Sequence, residues 1–573
     1  MRPYHIMVAV VSEAAMRHFL TRRLVRRTVA LGLLGLASVG GCDTGGSRGG
    51  TLVISTAGDA DVLFPPTIRQ QQSVEVTDLL FERLADIGPD LNTLGDAGWQ
   101  PRLAQHWVWA ADSMSVTFHL DPRARWHDGQ PVRASDVRYG YSVYVDSAVR
   151  SSDGRDIREV SDSLTVADSV TCTVWFRQRN PERFYRIAQN LRALPEHLLS
   201  GIARDSLATS GYARAPVGNG PFKFVRWDQR QRIEVAAFDG YHLGRPSLDR
   251  IIWTIVPENA TAVQRVFAGE ADFIQMLAPP QVADAWKHET LRAVHLGSLG
   301  YSHMIFNLRD GPTNRPHPLF SNREFRRALT MATDRQAVMR NALDSLGYVP
   351  YGPFIREQWS ADTTLRQLPL DRTGAERILD SLGWRKGENG IRQRAGKPLR
   401  ISLMVPASSA ARVAAALVVQ EQWRQIGVQL DIDRVDNPTF GGRMGGRQFE
   451  ASMAGVSPQP SPSGLRQNWH TAAITMSNGL NAGSFSDPLV DAAIDSAVNA
   501  TSVASARAHY RAAYQMLIDA APAIWLLEPM RVGAVSRRVN LGTIPRHAWW
   551  SSLPTWSATG TAPGRADTAA RSP

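Results

Sequence analysis

The sequence predicts an α/β protein. Segments with the two-residue periodicity of strands alternate with segments of helical periodicity from residue 51 to about residue 545. Residues 399–405, 410–426 and 428–435 form a strand–helix–strand unit, which is the building block of a parallel sheet. The 573 residues, of which 43% are apolar and 20% charged, provide enough chain for several domains with large buried cores.

The remaining elements follow the same two periodicities in chain order. Alternating or short apolar runs predict strands at residues 52–56, 114–120, 222–227, 232–237, 251–256 and 523–527. Apolar residues at helical spacing predict helices at residues 73–85, 134–145, 259–268 and 505–520. The Gly-rich segment 441–446 and the Pro- and Ser-rich segment 457–464 are predicted loops, and residues 557–573 are a predicted disordered tail.

The positive charge does not predict a nucleic-acid partner. The formal net charge is +11, but residues 1–41 contribute six arginines and one glutamate, which is +5 of that total. The remaining charge is spread along more than 500 residues, and acidic residues are interspersed throughout. The sequence contains no run of basic residues interleaved with aromatic residues, which is the pattern expected of a surface that binds a phosphate backbone.

The amino-terminal residues 1–41 are predicted to be a signal peptide. Four arginines precede an uncharged, mostly apolar stretch at residues 29–39, which is too short to span a bilayer of about 30 Å. The stretch ends in Val39-Gly40-Gly41-Cys42, which resembles a bacterial lipobox, and Cys42 is then the lipidated residue. An ordinary secretory signal with a chance cysteine is the alternative, and translation from Met16 gives a more typical leader length.

Two further predictions concern the tether and the second cysteine. Residues 42–50 are rich in glycine and form a predicted flexible tether. Cys172 lies in the alternating run at residues 169–176. With Cys42 lipidated it has no disulfide partner, and a lone thiol in a strand pattern is predicted to be a small core residue.

The sequence predicts no catalytic residues, no metal site and no cofactor. It lacks an HExxH motif, paired cysteines at metal-binding spacing, a GxSxG elbow and a phosphate-binding loop. His295 and His303 lie close together but are predicted to be structural. Asp59 and Asp61 follow the first strand, where a role in a turn or helix entry is predicted, and a secreted hydrolase using them is the alternative.

Several motifs occur in a fixed order and carry a resemblance to a known family. They are residues 101–107, 115–120, 126–132, 135–137, 216–222, 241, 269–272, 307, 325–329, 332–335, 382–384 and 426–428. Together they resemble the extracytoplasmic solute-binding proteins of ABC transporters in the peptide/nickel group, over nearly the whole chain after the tether. Gly129 is expected to take a positive φ in a tight turn, and the motifs at residues 126–132 and 216–222 are predicted to be scaffold.

The resemblance implies two α/β lobes joined by two crossing strands, with an extra subdomain in the first lobe. Lobe one then covers residues 51–306, with the subdomain at roughly 100–215, and lobe two covers residues 307–522. Residues 523–556 return to lobe one. Hinge closure on a ligand is expected.

The resemblance also implies which residues contact the ligand. The expected substrate-binding residues are Arg69, Gln71, Tyr301, His303, Ser457, Gln459 and Trp469. In peptide-binding members an aspartate pairs with the α-ammonium of the ligand, and its position falls on Gln459 in a segment, residues 456–462, that contains no acid. A ligand without a free α-ammonium is therefore expected, unless an acid from elsewhere in the chain takes this role.

The implied function is ligand capture for an ABC importer, without enzymatic activity. The protein is expected to bind peptides or peptide-like oligomers through their shared backbone groups and to deliver them to the transmembrane subunits of the permease. It is expected to be an extracytoplasmic monomer held on the membrane by its lipid anchor. The alternatives are a nickel chelate, haem or oligosaccharide as cargo, or a cytosolic sensor or DNA-binding regulator on the same fold.

Overall fold

A computed structural model describes residues 49–311, 313–457, 459–476 and 479–560. The predicted signal peptide, Cys42 and nearly all of the predicted tether lie outside these residues, as does most of the predicted tail.

The helices are distributed along the whole described chain. They are α1 (Gln71–Leu80), α2 (Ala134–Val145), α3 (Ser152–Val160), α4 (Arg183–Asn190), α5 (Glu196–Leu199), α6 (Asn259–Phe267), α7 (Pro279–Lys287), α8 (Arg323–Met331), α9 (Arg335–Leu343), α10 (Arg372–Ser381), α11 (Ala410–Gln425), α12 (Asn437–Gly445), α13 (Gly464–Trp469), α14 (Pro488–Val498) and α15 (Val503–Ala520).

The strands alternate with these helices, as an α/β fold requires. They are β1 (Thr51–Thr56), β2 (Ala85–Asp86), β3 (Gln100–Pro101), β4 (Ala104–Trp109), β5 (Ser115–Leu120), β6 (Ser161–Val166), β7 (Thr171–Phe176), β8 (Phe222–Asp228), β9 (Arg232–Ala237), β10 (Arg250–Ile255), β11 (Phe273–Ile274), β12 (Leu291–Ser298), β13 (Tyr301–Phe306), β14 (Gly347–Tyr348), β15 (Arg385–Lys386), β16 (Arg392–Arg394), β17 (Lys397–Pro398), β18 (Arg400–Pro406), β19 (Gln429–Val435), β20 (Ala451–Val456), β21 (Ala523–Ser536), β22 (Val539–Asn540) and β23 (Ser557–Ala558).

One large mixed sheet runs through the molecule. Its strand order is β19-β18-β20-β13-β21-β11-β1-β10-β9-β8, and β12 and β14 also pair with β21. The predicted strand–helix–strand unit is confirmed, because β18 and β19 are parallel neighbours joined through α11. The predicted parallel pairing therefore forms one edge of this sheet.

The fourteen-residue strand β21 connects the two halves of the sheet. Its first half, at Ala523–Leu527, pairs antiparallel with β13, and its second half pairs antiparallel with β12 and β11. The chain crosses between the halves once more between β12 and β13, over Leu299 and Gly300. The two expected crossing segments are thus present side by side.

The buried apolar residues separate at these crossings. The largest cluster draws on residues 52–296 and 535–558, and we call this part lobe one. Two other clusters draw almost entirely on residues 301–527, which we call lobe two. This division agrees with the predicted two-lobed fold. The residue numbers at which each lobe and the subdomain begin and end stay a prediction.

Lobe one contains an added four-stranded antiparallel sheet with the order β4-β5-β7-β6. It lies within the residues predicted to form the extra subdomain, and α2, α3 and α4 follow or join its strands. Cys172 on β7 is a free, fully buried cysteine that packs in this core, as predicted.

The two scaffold motifs of the sequence pack against each other. The Nδ1 atom of His127 accepts a hydrogen bond from the backbone N–H of Gly218 at 3.1 Å, and its backbone N–H donates to the Gly218 carbonyl at 2.8 Å. Gly129 takes a φ of 91°, as expected for the turn. A Cβ on Gly218 would lie 1.9 Å from the Leu80 carbonyl oxygen, so only glycine fits this contact.

Several predicted element boundaries are wrong. Helix α1 covers Gln71–Leu80 rather than residues 73–85, because Phe81 already has extended backbone geometry. The predicted loop at residues 441–446 lies largely in α12, whose amino end is capped by Asp436. Residues 557–558 form β23 and pair with β22 instead of beginning a disordered tail.

The described part of the chain contains neither a helix suited to crossing a membrane nor a cluster of metal-binding side chains. None of its helices combines the length and the apolar composition needed to cross a membrane. The same residues contain no group of three or more histidine, cysteine, aspartate or glutamate side chains placed to hold a metal ion.

Glu75 is a buried acid on α1 of lobe one. Its side chain is 1% exposed, and its Oε1 atom has no hydrogen-bond partner among the described residues. Burial raises the pKa of Glu75 to about 7, and the positive charge of Arg531 opposes this rise only in part. The folded protein therefore holds a proton on Glu75 at pH values where the unfolded chain has lost it.

Replacing Glu75 by glutamine is expected to alter the pH dependence of stability. Between pH 4.5 and 7 the native state binds more protons at this site than the unfolded state, so its contribution falls as the pH rises. When the pH is raised from 5 to 8, the wild type should lose up to about 3 kcal/mol of unfolding free energy that the Glu75→Gln variant does not lose. Urea unfolding at both pH values measures this difference.

The exposed acid Glu289 provides the matched control, since Glu289→Gln removes a solvated carboxylate. Equal pH dependence of the two variants would contradict a raised pKa at Glu75.

Candidate functional site

A cavity of about 600 Å³ lies between the two lobes. Lobe one contributes α3, Glu182 and α4, and lobe two contributes β13, the segment around Pro353–Gln358, the end of β20 with its following loop, and α13. Its charged and polar lining residues include Asp153, Asp156, Glu159, Glu182, Arg186, Tyr301, Gln358, Ser457, Gln459 and Ser461. A cavity of this size and position suits a small ligand or short oligomer.

The lobe-one wall is acidic. Helix α3 has the acids Asp153, Asp156 and Glu159 at three-residue spacing, which places their side chains along one helix face. Glu159 forms an ion pair with Arg186 of α4, with 2.8 Å between Oε2 and Nη1. In the part of the chain that the structure describes, Asp153 and Asp156 have no ion pair.

The two unpaired aspartates are half-buried, and their environment favours the neutral form. Burial raises the pKa of Asp153 to about 6, the neighbouring Asp156 raises it further, and Arg192 opposes the change. Burial also raises the pKa of Asp156, against the attraction of Arg186. These carboxylates therefore lie where a positive charge nearby would lower the free energy of their ionised form.

Glu182 connects the two lobes at one end of the cavity. It is 4% exposed and accepts hydrogen bonds from Thr93 Oγ1 at 2.5 Å in lobe one and from Ser461 Oγ at 2.7 Å in lobe two. The Thr93 hydroxyl oxygen in turn accepts a 3.0 Å hydrogen bond from Nε1 of Trp359 in lobe two. Side chains of both lobes are thus joined through one buried carboxylate.

The lobe-two wall is polar but uncharged. Tyr301 of β13 pairs with Val456 at the end of β20, and both line the cavity. The loop that follows carries Ser457 and Gln459, and Nε2 of Gln358 donates to the Gln459 carbonyl at 3.0 Å. The amide and hydroxyl groups of this wall can both donate and accept hydrogen bonds.

An aromatic layer lies behind Tyr301. The ring centroids of Tyr301 and His303 are 5.6 Å apart, and those of His303 and Trp469 are 5.9 Å apart. Burial lowers the pKa of His303 to about 3, so this imidazole is neutral at physiological pH. Trp469 packs further against Trp525 at 6.0 Å, and the layer supports the cavity wall from the lobe-two core.

The structure brings together some of the expected ligand contacts and separates others. Tyr301, Ser457 and Gln459 line the cavity, and His303 and Trp469 lie in the layer behind it. Arg69 lines a separate surface depression, and Gln71 is exposed at the start of α1. Ligand contact stays a prediction for all seven expected residues. The position of Arg69 and Gln71 away from this cavity does not support the prediction for these two.

The acids of the lobe-one wall are not among the predicted ligand-binding residues. The segment after β20 lacks an acid, as noted, but the cavity carries four carboxylates from α3 and the start of α4. The expectation of a ligand without an α-ammonium group depended on a site without an acid. The cavity does contain acids, and they come from another part of the chain, which was the alternative. The three-residue spacing of acids in residues 153–159 was the available signal.

Asp59 and Asp61 have structural partners. Asp59 accepts hydrogen bonds from Nε1 of Trp227 at 3.0 Å and from the backbone N–H of Arg230 at 2.7 Å. Asp61 accepts a 2.5 Å hydrogen bond from the Ser73 hydroxyl next to the start of α1. These contacts support the predicted role in turns and helix entry, rather than the hydrolase alternative.

Comparison with known proteins places the chain beside transport proteins. The family model described as bacterial extracellular solute-binding proteins, family 5 Middle, matches residues 98–476. The oligopeptide-binding protein AppA of Bacillus subtilis is 26% identical over 395 residues, which cover 68% of this chain and 70% of AppA.

Two solved structures share the fold. AppA from Bacillus subtilis in complex with a nonapeptide superposes with a TM-score of 0.72 at 23% identity, covering 90% of this chain and all of the other. NikZ from Campylobacter jejuni in complex with Ni(L-His) superposes with a TM-score of 0.73 at 20% identity, covering 88% of this chain and 99% of the other.

Replacing Glu182 by alanine is expected to destabilise the protein. The variant leaves the buried Thr93 hydroxyl without its acceptor, at a cost of about 1–3 kcal/mol, and it removes the hydrogen bond that Ser461 donates across the lobes. Glu182→Gln keeps one acceptor oxygen and should lose less. Urea unfolding compares both variants with Glu159→Ala, which removes an exposed acid from the same wall. Equal stability of the two alanine variants would argue against the role of Glu182 as the connection between the lobes.

Proposed function

Because the chain belongs to the bacterial extracellular solute-binding proteins of family 5, we propose that it is the extracytoplasmic substrate-binding component of an ABC importer. Its ligands are peptides or peptide-like oligomers, and they bind in the cavity between the lobes. The observation that carries this proposal is the cavity itself, which is bounded by both lobes of the family's fold.

The lining of the cavity supports a peptide ligand. Amide side chains occur on both walls, with Asn190 in lobe one and Gln358, Gln459, Gln467 and Asn468 in lobe two. Each amide offers donors and an acceptor, which matches the N–H and C=O groups of a peptide backbone. Since every peptide shares these backbone groups, such a lining favours broad specificity.

A metal chelate or haem on the same scaffold is the alternative. The relatives include a protein named for haem binding, and NikZ was solved with Ni(L-His). In the part of the cavity lining that the structure describes, no histidine or cysteine is present to ligate a metal. This composition favours the peptide over the metal-bearing cargo.

We also propose a binding role without catalysis, in which closure of the lobes encloses the ligand. The hydrogen bonds that Ser461 donates to Glu182 and that Trp359 donates to Thr93 form only when the lobes are in contact, so they favour the closed arrangement. The permease subunits then recognise the closed form. The protein acts as a monomer in this scheme.

Placing a tryptophan at Gly464 is expected to block the cavity. Gly464 lines it at the start of α13, and an added Cβ there meets no atom within 4 Å, so the backbone accepts a side chain. The bulky ring then occupies the ligand volume, and peptide affinity should fall at least about tenfold. Calorimetric titration measures Kd with a peptide that mass spectrometry identifies as co-purifying with the wild type.

Gly441→Trp is the matched control, because Gly441 is exposed on α12 and its added Cβ is equally unhindered. Co-purification of peptides with both variants at wild-type affinity would exclude this cavity as the binding site.

The lipid anchor at Cys42 is part of the proposal, with the signal peptide at residues 1–41 removed. Cys42→Ser is expected to move the protein from the membrane fraction to the soluble extracytoplasmic fraction and to abolish labelling by a fatty-acid analogue. Cys172→Ala changes the other, buried cysteine and should leave both properties intact. Membrane association of Cys42→Ser at the wild-type level would show that no anchor is attached there.

A further inference from the structure

We propose that the lobe-one wall of the cavity binds a cationic side chain of the ligand, the ammonium of a lysine or the guanidinium of an arginine. This inference rests on the proposed peptide-binding function and deepens it, because it names the chemical class of peptide that the protein prefers.

The charge of the cavity is one-sided. Its charged lining residues all belong to lobe one: four acids, Asp153, Asp156, Glu159 and Glu182, and one base, Arg186. Four negative charges and one positive charge leave a formal charge of −3. The lobe-two lining in the described residues contains only uncharged side chains, so the protein itself supplies no further counter-charge within the cavity.

The acids divide into two that have strong partners and two that do not. Glu159 has the ion pair with Arg186, and Glu182 has the hydroxyls of Thr93 and Ser461. Asp153 and Asp156 are half-buried without an ion pair among the described residues, and burial raises the pKa of both. Carboxylates that are removed from water require a counter-charge or charge-assisted hydrogen bonds to stay ionised.

Unsatisfied polar atoms also occur on the other side of the cavity. Nε1 of Trp469 and Nδ1 of His303 are buried without a hydrogen-bond partner in the described chain, and both belong to the aromatic layer behind Tyr301. Buried polar groups in native proteins nearly always have a partner. These two atoms lie behind the cavity wall rather than on it, so the carboxylates of lobe one are the incompletely paired groups that line the cavity.

A cationic ligand group fits this arrangement better than a neutral or anionic one. An ammonium or guanidinium near Asp153 and Asp156 gains charge-assisted hydrogen bonds and lowers the cost of their ionised form. A carboxylate in the same place adds a negative charge to a wall that already has an excess of three. The proposed cation is a lysine or arginine side chain, and the experiment separates it from the α-ammonium of the ligand.

The test is calorimetric titration of the full-length protein with pentapeptides and nonapeptides that differ at one central residue. Peptides blocked at both ends carry lysine, glutamine or glutamate there, and a fourth peptide carries glutamine with a free amino terminus. The lysine peptide should bind at least about tenfold tighter than its glutamine counterpart, and the glutamate peptide most weakly. Tighter binding of the free-amine peptide alone, without a preference for lysine, overturns the assignment to a side chain.

Removing the two unpaired carboxylates should remove the preference. In the double variant Asp153→Asn/Asp156→Asn, the advantage of the cationic peptide over the neutral peptide should fall to about twofold or less. Glu388→Gln changes an exposed acid in lobe two and should keep the full preference. The preference should also shrink at high ionic strength.

The outcomes separate this inference from the function on which it rests. Equal affinity for the cationic and neutral peptides, or an undiminished preference in the double variant, overturns the cation assignment and leaves peptide binding intact. Absence of binding for every peptide overturns the proposed function together with the inference. Thermal unfolding of each variant confirms that a change in affinity does not come from loss of the fold.

Discussion

The structure depends on strand β21, which belongs to both lobes. Its first half pairs with β13 next to the lobe-two cores, and its second half pairs with β11 and β12 beside lobe one. A strand in the middle of a sheet must satisfy its backbone groups on both sides, so β21 fixes the position of each lobe's sheet relative to the crossing. The neighbouring crossing at Leu299 and Gly300 runs beside it. These two connections leave the space between the lobes for the cavity.

The two walls of that cavity differ in chemistry because they come from different parts of the chain. The lobe-two wall is built at the ends of central strands and offers hydroxyl and amide groups. The lobe-one wall is built by α3 and α4 of the added subdomain, and it holds all the charged lining groups that the structure describes. Uncharged groups suit the backbone that peptides share, whereas charged groups select among side chains and termini. In this arrangement lobe two provides the groups for broad recognition of peptide backbones, and lobe one provides the groups for selection among charged side chains.

The fold followed from the sequence wherever a local pattern controls local structure. Alternation and helical spacing located β9, α2 and the β18–α11–β19 unit, because each buries one face and needs a matching periodicity. The same reasoning failed at α12, where Asp436 and Pro438 start a helix that its glycines argue against. It also stopped β21 too early, since the length of that strand depends on partners distant in the chain.

For the site, the sequence by itself determined the family resemblance, the two-lobed class and the residues Tyr301, Ser457 and Gln459 that line the cavity. Only the tertiary structure placed Asp153 and Asp156 opposite them and moved Arg69 to another surface. The physical reason is the distance along the chain: the two walls come from residues 153–190 and 301–514, and local patterns carry no information on which helix face meets which loop. The charge of the cavity, and with it the expected ligand, is therefore a property of the folded protein.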